Sequence, residues 1–183
     1  MSVIQQFDNG CLLKGENVSS KNLRCLMEAA NVATKSELNC RHGSVLVYGN
    51  RILASGYNQS RSKYGNIIGC CMHAEVACLH NFIKHICHES FNSNGKVKNT
   101  KWKRILTKSS IYVVRIPRVN NSLEYLNYSK PCSSCYNTLK NYGIKNVIYS
   151  DICNGISVNK VDNLHCSHVT KGNLRVPSGY GID

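Results

Sequence analysis

The 183-residue chain is 42% hydrophobic and 18% charged, which excludes a disordered polymer and suits one domain with a sizeable core spanning 1–183. Its 23 Lys and Arg outweigh 10 Asp and Glu, giving a formal net charge of +13; such a surface attracts nucleic acid, nucleotide phosphates or anionic membrane, and suits a plain solvated basic surface equally well. No run of about 18 apolar residues occurs, so no segment reads as a membrane span, and Met1 to Gly10 lacks the apolar stretch of a signal peptide.

The chain holds eleven cysteines, an odd number. Without a secretory signal, a disulfide framework is the weaker reading. The expectation is a reducing, cytoplasmic setting, with some cysteines on a metal and others buried as small apolar side chains.

In chain order, residues 20–36 have helical spacing through Leu23, Leu26, Met27 and Ala30, with Ser20 as a candidate cap. The period then changes. Residues 43–48 and 52–57 read as strands joined by a Gly49-Asn50 hairpin turn. A helix is expected over 72–87, with Val76, Leu79, Ile83 and Ile86 on one face. Residues 89–108 are polar and lysine-rich and read as an exposed, irregular insertion. A β run at 111–116, a loop at 117–130, a helix at 133–142, a strand at 147–150 and a further short strand at 156–158 follow. The polar tail 170–183 is expected to be loosely held. No repeat occurs, and three scattered prolines provide no linker. Helices interleaved with strands imply an α/β sheet with helices on its faces.

Two segments carry chemistry: Cys71-Met72-His73-Ala74-Glu75 and Lys130-Pro131-Cys132-Ser133-Ser134-Cys135. One imidazole and two thiolates suit Zn2+, and three protein ligands leave a position open for water. Cys132 and Cys135 are three apart at a predicted helix start, so both sulfurs can face one point. His73 opens another predicted helix, so two helix N-termini would favour thiolate at the metal. Pro131 suits the start of a helix, where its missing N–H costs little. Glu75 could then take a proton from bound water and return it to a leaving amine. A Cys-x-x-Cys alone could be a redox pair, and a lone His-x-Glu is near noise; together, in this order, they form a zinc deaminase signature.

With these segments the chain resembles the cytidine and deoxycytidylate deaminase superfamily, from about Asn22 to Ser150. Arg41 to Val47 and Gly56-Tyr57-Asn58 are similar to that family's first hairpin. The resemblance implies a three-layer α-β-α fold with a central mixed sheet of about five strands. It also implies that Asn58 contacts the substrate sugar, that the backbone N–H of Ala74 contacts the base, and that like subunits assemble. The stretch 76–131 is longer than in compact family members, with the extra length at 89–108 and 117–128.

Other features admit two readings each. Cys70, Cys71, Cys78, His80, His85, Cys87 and His88 could hold a second, structural zinc, or be buried cysteines and surface histidines without a four-ligand pattern. Cys153, His165, Cys166 and His168 form a looser set. The basic run 96–108 with Trp102 could be a strand-binding flap or a solvated loop with one anchoring aromatic. Tyr125 or Tyr128 could line a pocket or pack on the core.

Three functions stand after this reading. The first is a zinc-dependent deaminase of a free nucleoside or nucleotide, with cytosine foremost. The second is a deaminase of cytosine or adenine in a polynucleotide. The third is an inactive zinc module that binds nucleic acid, which the presence of Glu75 argues against.

Overall fold

The computed structural model describes residues 18–60, 63–64, 67–68, 71–86, 100–116, 127–151 and 155–170. Helix α1 (Ser20–Ala33) opens the fold. Its cap is Ser19, whose Oγ accepts from the Asn22 N–H at 3.3 Å. The sequence pointed to Ser20, but a capping oxygen must sit on the extended residue before the first helical one. Strands β1 (Arg41–Tyr48) and β2 (Arg51–Tyr57) form the expected hairpin. Tyr48 pairs with Arg51 across Gly49-Asn50, and Gly49 takes a φ of 57°, the left-handed conformation that such a two-residue turn requires.

Two short strands, β3 (Lys63–Tyr64) and β4 (Ile67–Ile68), pair with each other apart from the main sheet. Helix α2 (Ala74–Ile86) follows. Helix α3 (Thr100–Leu106) corrects the expectation of an irregular 89–108. Trp102 packs edge-on against the buried ring of Phe82, with centroids 5.8 Å apart. Lys101 and Lys103, two of the lysines that made this stretch read as loop, lie on a helix anchored through that indole. Residues 89–99, the tail 171–183, Tyr125 and most of the expected loop at 117–126 lie outside the described residues.

Strand β5 (Ser110–Ile116), helix α4 (Ser133–Asn141), strands β6 (Asn146–Asp151) and β7 (Gly155–Lys160) and a 3-10 turn (Val161–Asn163) complete the described elements. The main sheet has the order β2-β1-β5-β6-β7. Only β5 and β6 run parallel; the other neighbours are antiparallel.

Strand alternation builds two cores. Val45, Val47, Tyr112, Val114 and Ile148 face α1. Leu46, Ile111, Val113, Val147 and Tyr149 face the opposite way, with Leu79 and Phe82 of α2, Leu106 of α3 and Leu139 of α4. This is the expected three-layer α-β-α arrangement around a mixed five-stranded sheet. Gly56 brings α2 close to the sheet: a Cβ there would meet the backbone of Ala77 and Cys78. Among the described residues, no helix is long and apolar enough to cross a membrane.

Candidate metal centre

Both helix starts are fastened to the sheet. Ser44 on β1 is fully buried, and its hydroxyl donates to the Ala74 carbonyl at 2.7 Å. Gln59 and Met72 exchange two backbone hydrogen bonds of 2.9 Å, which fixes the chain one residue before His73. The His73 carbonyl accepts from the Ala77 N–H, so His73 sits at the mouth of α2, just ahead of its first residue.

The other segment is held by Ser129. Its hydroxyl donates to the Val113 carbonyl at 2.8 Å and accepts from the Ser150 N–H at 2.9 Å. It also lies 2.7 Å from the Ser150 hydroxyl. Ser129 thus ties the approach to Cys132 across β5 and β6. Cys132 takes the N-cap position of α4 in extended conformation, yet its side chain caps nothing. The sulfur is left for another role. The Ser133 N–H donates to the His168 carbonyl, and the Cys166 thiol donates to the Pro131 carbonyl at 3.2 Å, so the segment after the 3-10 turn secures the same corner.

These anchors bring His73, Cys132 and Cys135 together, with one ligand atom of each within 4.8 Å of the others. His73 Nδ1 lies 3.2 Å from Cys135 Sγ and 3.5 Å from Cys132 Sγ. A tetrahedral zinc, with bonds of about 2.0–2.1 Å to nitrogen and about 2.3 Å to sulfur, separates such ligands by roughly 3.6 Å. The donor set and spacing fit zinc. Among the described residues this is the one group of its kind. Cys78 is buried in the apolar core, and Cys166 and His168 make the bonds already given. Cys70, Cys87, His88 and Cys153 lie outside the described residues.

The cluster is already polarised. Hydrogen bonds to Cys132 and Cys71, with the charge of Glu75 adding to them, raise the His73 pKa to about 11. Hydrogen bonds from Cys135 and His73 lower Cys132 to about 4. Cys135 is pushed well up by its bond to Cys132 and by burial. A thiolate facing an imidazolium is a site in which a cation can replace protons.

Glu75 is 6% exposed. Its carboxyl is hydrogen-bonded to Cys135, and burial raises its pKa. Met72, Val76 and Ala77 pack with the two cysteines and form an apolar wall. Ala74 is the first residue of α2, where backbone N–H groups have no intrahelical acceptor. Asn58 is 7% exposed. Its Oδ1 accepts from the His42 N–H at 2.8 Å and its Nδ2 donates to the Cys40 carbonyl at 2.6 Å, so it braces the start of β1, with one N–H and one lone pair beyond those bonds.

Sequence reasoning placed three neighbours outside this site, although it weighed Cys71 for a second zinc. Cys71 is bonded to His73. His42 feels the charges of Arg115, His73 and Cys132. Arg115 pairs with His42 across β1 and β5. The pairing of strands some 70 residues apart leaves no local signal, although His42 stands within the hairpin segment that carried the resemblance. Tyr128 makes an edge-on contact with Tyr149, with centroids 6.2 Å apart.

An α-β-α sheet that gathers an imidazole, two thiols and a buried carboxyl at two helix starts defines a protein with a potential His/Cys/Cys zinc site. The chain belongs to the family described as the cytidine and deoxycytidylate deaminase zinc-binding region, whose model matches residues 17–151. Among solved structures it is similar to the dCMP deaminase of cyanophage S-TIM5, at 17% identity and a TM-score of 0.46, covering 75% of this chain and 89% of that one. It is also similar to the cytidine deaminase of Burkholderia pseudomallei, at 15% identity and a TM-score of 0.47, covering 80% and 95%. No curated protein matches the chain in sequence.

Proposed function

We propose that the protein is a zinc-dependent hydrolytic deaminase acting on the base of a free nucleoside or nucleotide, with cytosine the foremost base. The observation that carries this reading is Glu75: a carboxyl buried beside three metal-ligating side chains. A purely structural zinc has no use for it. His73, Cys132 and Cys135 would hold the ion, which when bound supplies a Lewis acid that makes a water nucleophilic near neutral pH. Glu75 takes a proton from the attacking water and delivers it to the ring nitrogen; it then takes the remaining proton from the newly added hydroxyl and passes it to the amine, which leaves as ammonia as the carbonyl forms. The Ala74 N–H meets a polar edge of the base, and Asn58 meets the sugar with its remaining amide valences. Met72 and Val76 keep bulk water from the cluster. We also read 1–183 as a single domain working in a reducing compartment, which would keep the thiols of Cys40 and Cys71 free.

The test is ammonia release by zinc-loaded protein from deoxycytidylate, cytidine, guanine and a single-stranded oligonucleotide. Turnover of a monomeric cytosine substrate is expected, and Glu75→Ala should retain zinc while losing at least about 1,000-fold in kcat. Wild-type-like turnover in Glu75→Ala would remove the assigned role. Turnover of the oligonucleotide alone would move the function to polynucleotides.

A further inference from the structure

The strand register sets the ends of all five strands of the main sheet in one row. Tyr48 pairs with Arg51, Val47 with Ser110, Ser110 with Asn146, and Asn146 with Lys160. This row lies away from the metal centre. Ser44, which holds the start of α2, stands four residues before Tyr48 on β1, about 13 Å along the strand. Four steps of about 4.8 Å between strands make the row roughly 19 Å long.

Exposed cations occupy it. Arg51 opens β2, Lys145 precedes β6 and Lys160 closes β7. The Lys145 N–H donates to the Ser109 carbonyl, which draws the chain at Lys108 and at Lys145 together. Helix α3 overhangs the middle of the row. Tyr48, Lys101, Arg104, Ile105 and Lys108 line a cleft there of about 370 Å3. Among the described residues, no carboxylate lines that cleft. Lys101 is held over the Trp102 ring, with Nζ 5.5 Å from its centroid. Tyr48 is 37% exposed, so a partly open aromatic ring stands among three cations. Of the described carboxylates, Glu28 and Asp162 border the row, whereas Glu75 and Asp151 sit at the metal end of the sheet.

Like charges gathered this closely repel one another, and a polyanion relieves the repulsion. A linear row of cations beside an aromatic ring matches the binding of a single nucleic-acid strand, whose phosphates meet the cations while a base stacks on the ring. A bilayer instead meets a broad face and draws apolar side chains into its interface; here the ring lines a concave cleft. We propose that this end of the sheet binds single-stranded nucleic acid, with Arg104 and Lys108 on phosphates and Tyr48 stacked on a base. The strand is a ligand held apart from the metal centre and is not the substrate. The proposal does not rest on the deaminase reading.

Fluorescence anisotropy of a labelled oligothymidylate on zinc-loaded protein tests it across a salt series. Thymine has no exocyclic amine, so no turnover intrudes. Three or four neutralised phosphates give a slope of log K on log salt of about −2 to −3. Arg104→Gln and Lys108→Gln should each flatten that slope by about 0.7. Lys35→Gln removes the same charge from the loop between α1 and β1 and should leave the slope as it was. Tyr48→Leu should weaken binding roughly tenfold through lost stacking. All four variants should keep the wild-type zinc content. Losses from Lys35→Gln equal to those from Arg104→Gln would reduce the effect to diffuse charge and overturn the proposal. So would affinity unchanged in Arg104→Gln and Lys108→Gln, or binding to phosphatidylserine vesicles by protein that ignores the oligonucleotide. Arg104 and Lys108 are exposed, so their substitution leaves the core intact and the comparison stands even if Tyr48→Leu fails to fold.

Discussion

Gly56 is the position where fold and site are most tightly coupled. A Cβ at residue 56 would stand 2.7 Å from the carbonyl carbon of Ala77 and 2.7 Å from the Cα of Cys78. Carbon atoms in contact prefer about 3.5–4.0 Å, so α2 would have to retreat by about 1 Å. It has little freedom to do so. Its first turn is held by the Ser44–Ala74 bond, and the chain just before His73 by the Gln59–Met72 pair. Gly56→Ala must therefore overpack, at about 1–3 kcal/mol or more, or shift His73 and Glu75. A misplacement of 1 Å in a reacting constellation costs about 100-fold in rate. Urea unfolding, zinc titration and ammonia release on one preparation would separate the two losses. The control is Gly49→Ala, where nothing lies within 4 Å but φ is +57°. It should lose about 1–2 kcal/mol from left-handed strain and leave zinc affinity and turnover intact. A Gly56→Ala protein with the wild-type unfolding midpoint and wild-type zinc affinity would refute the argument.

Ser44→Ala removes the hydroxyl that fastens Ala74 to β1. It should cost about 1 kcal/mol in urea unfolding, since the freed carbonyl keeps its helical partner, and should lower turnover more than stability suggests; unchanged kcat would show that the bond does not position α2. Acid should act through His42. Burial, with the charges of Arg115 and His73 against it, lowers its pKa from 6.5 to about 4, although Cys132 and the Cys40 carbonyl oppose the shift. The unfolded chain binds the proton first, so the stability His42 provides is complete above pH 6.5 and declines as pH falls towards 4. The loss should reach about 3 kcal/mol at pH 4. His42→Gln should flatten that part of the pH–stability curve, and a curve of unchanged shape would exclude the residue as its origin.

The main elements were legible because periodicity is local. Leu23, Leu26 and Ala30 marked α1, and alternation marked β1 and β5. The ligand set was legible for another reason: zinc chemistry demands rare residue types at tight spacing, and His73, Cys132 and Cys135 meet as that demand requires. Helix α3 was hidden because it is short and its lysines and arginine alternate with its apolar residues, while its anchor, Trp102 on Phe82, is a tertiary contact. Ser129 was equally opaque. Nothing around a serine in a polar stretch announces that its hydroxyl will bond to two strands. The amide of Asn58 was read through resemblance as a substrate contact, and its bonds to the backbone at Cys40 and His42 come from a pairing that the sequence does not display.

The long interval between the ligands explains why the site needs those hidden anchors. His73 and Cys132 lie 59 residues apart in the chain. Chain connectivity over that distance imposes almost nothing on ligand separation, because closure entropy grows only with the logarithm of loop length. What fixes 3.2 and 3.5 Å between ligand atoms is the sheet. Ser44 and Met72 register α2 against β1 and the end of β2, and Ser129 registers α4 against β5 and β6. Since β1 and β5 are direct neighbours, the two registrations share one rigid frame. The donors are therefore set before any ion arrives, and the same frame carries Arg115 on β5 beside His42 on β1. The two segments that carry the potential zinc ligands are fixed by one pair of strands, so the separation of His73 from Cys132 is measured against the spacing of the sheet and not against a loop.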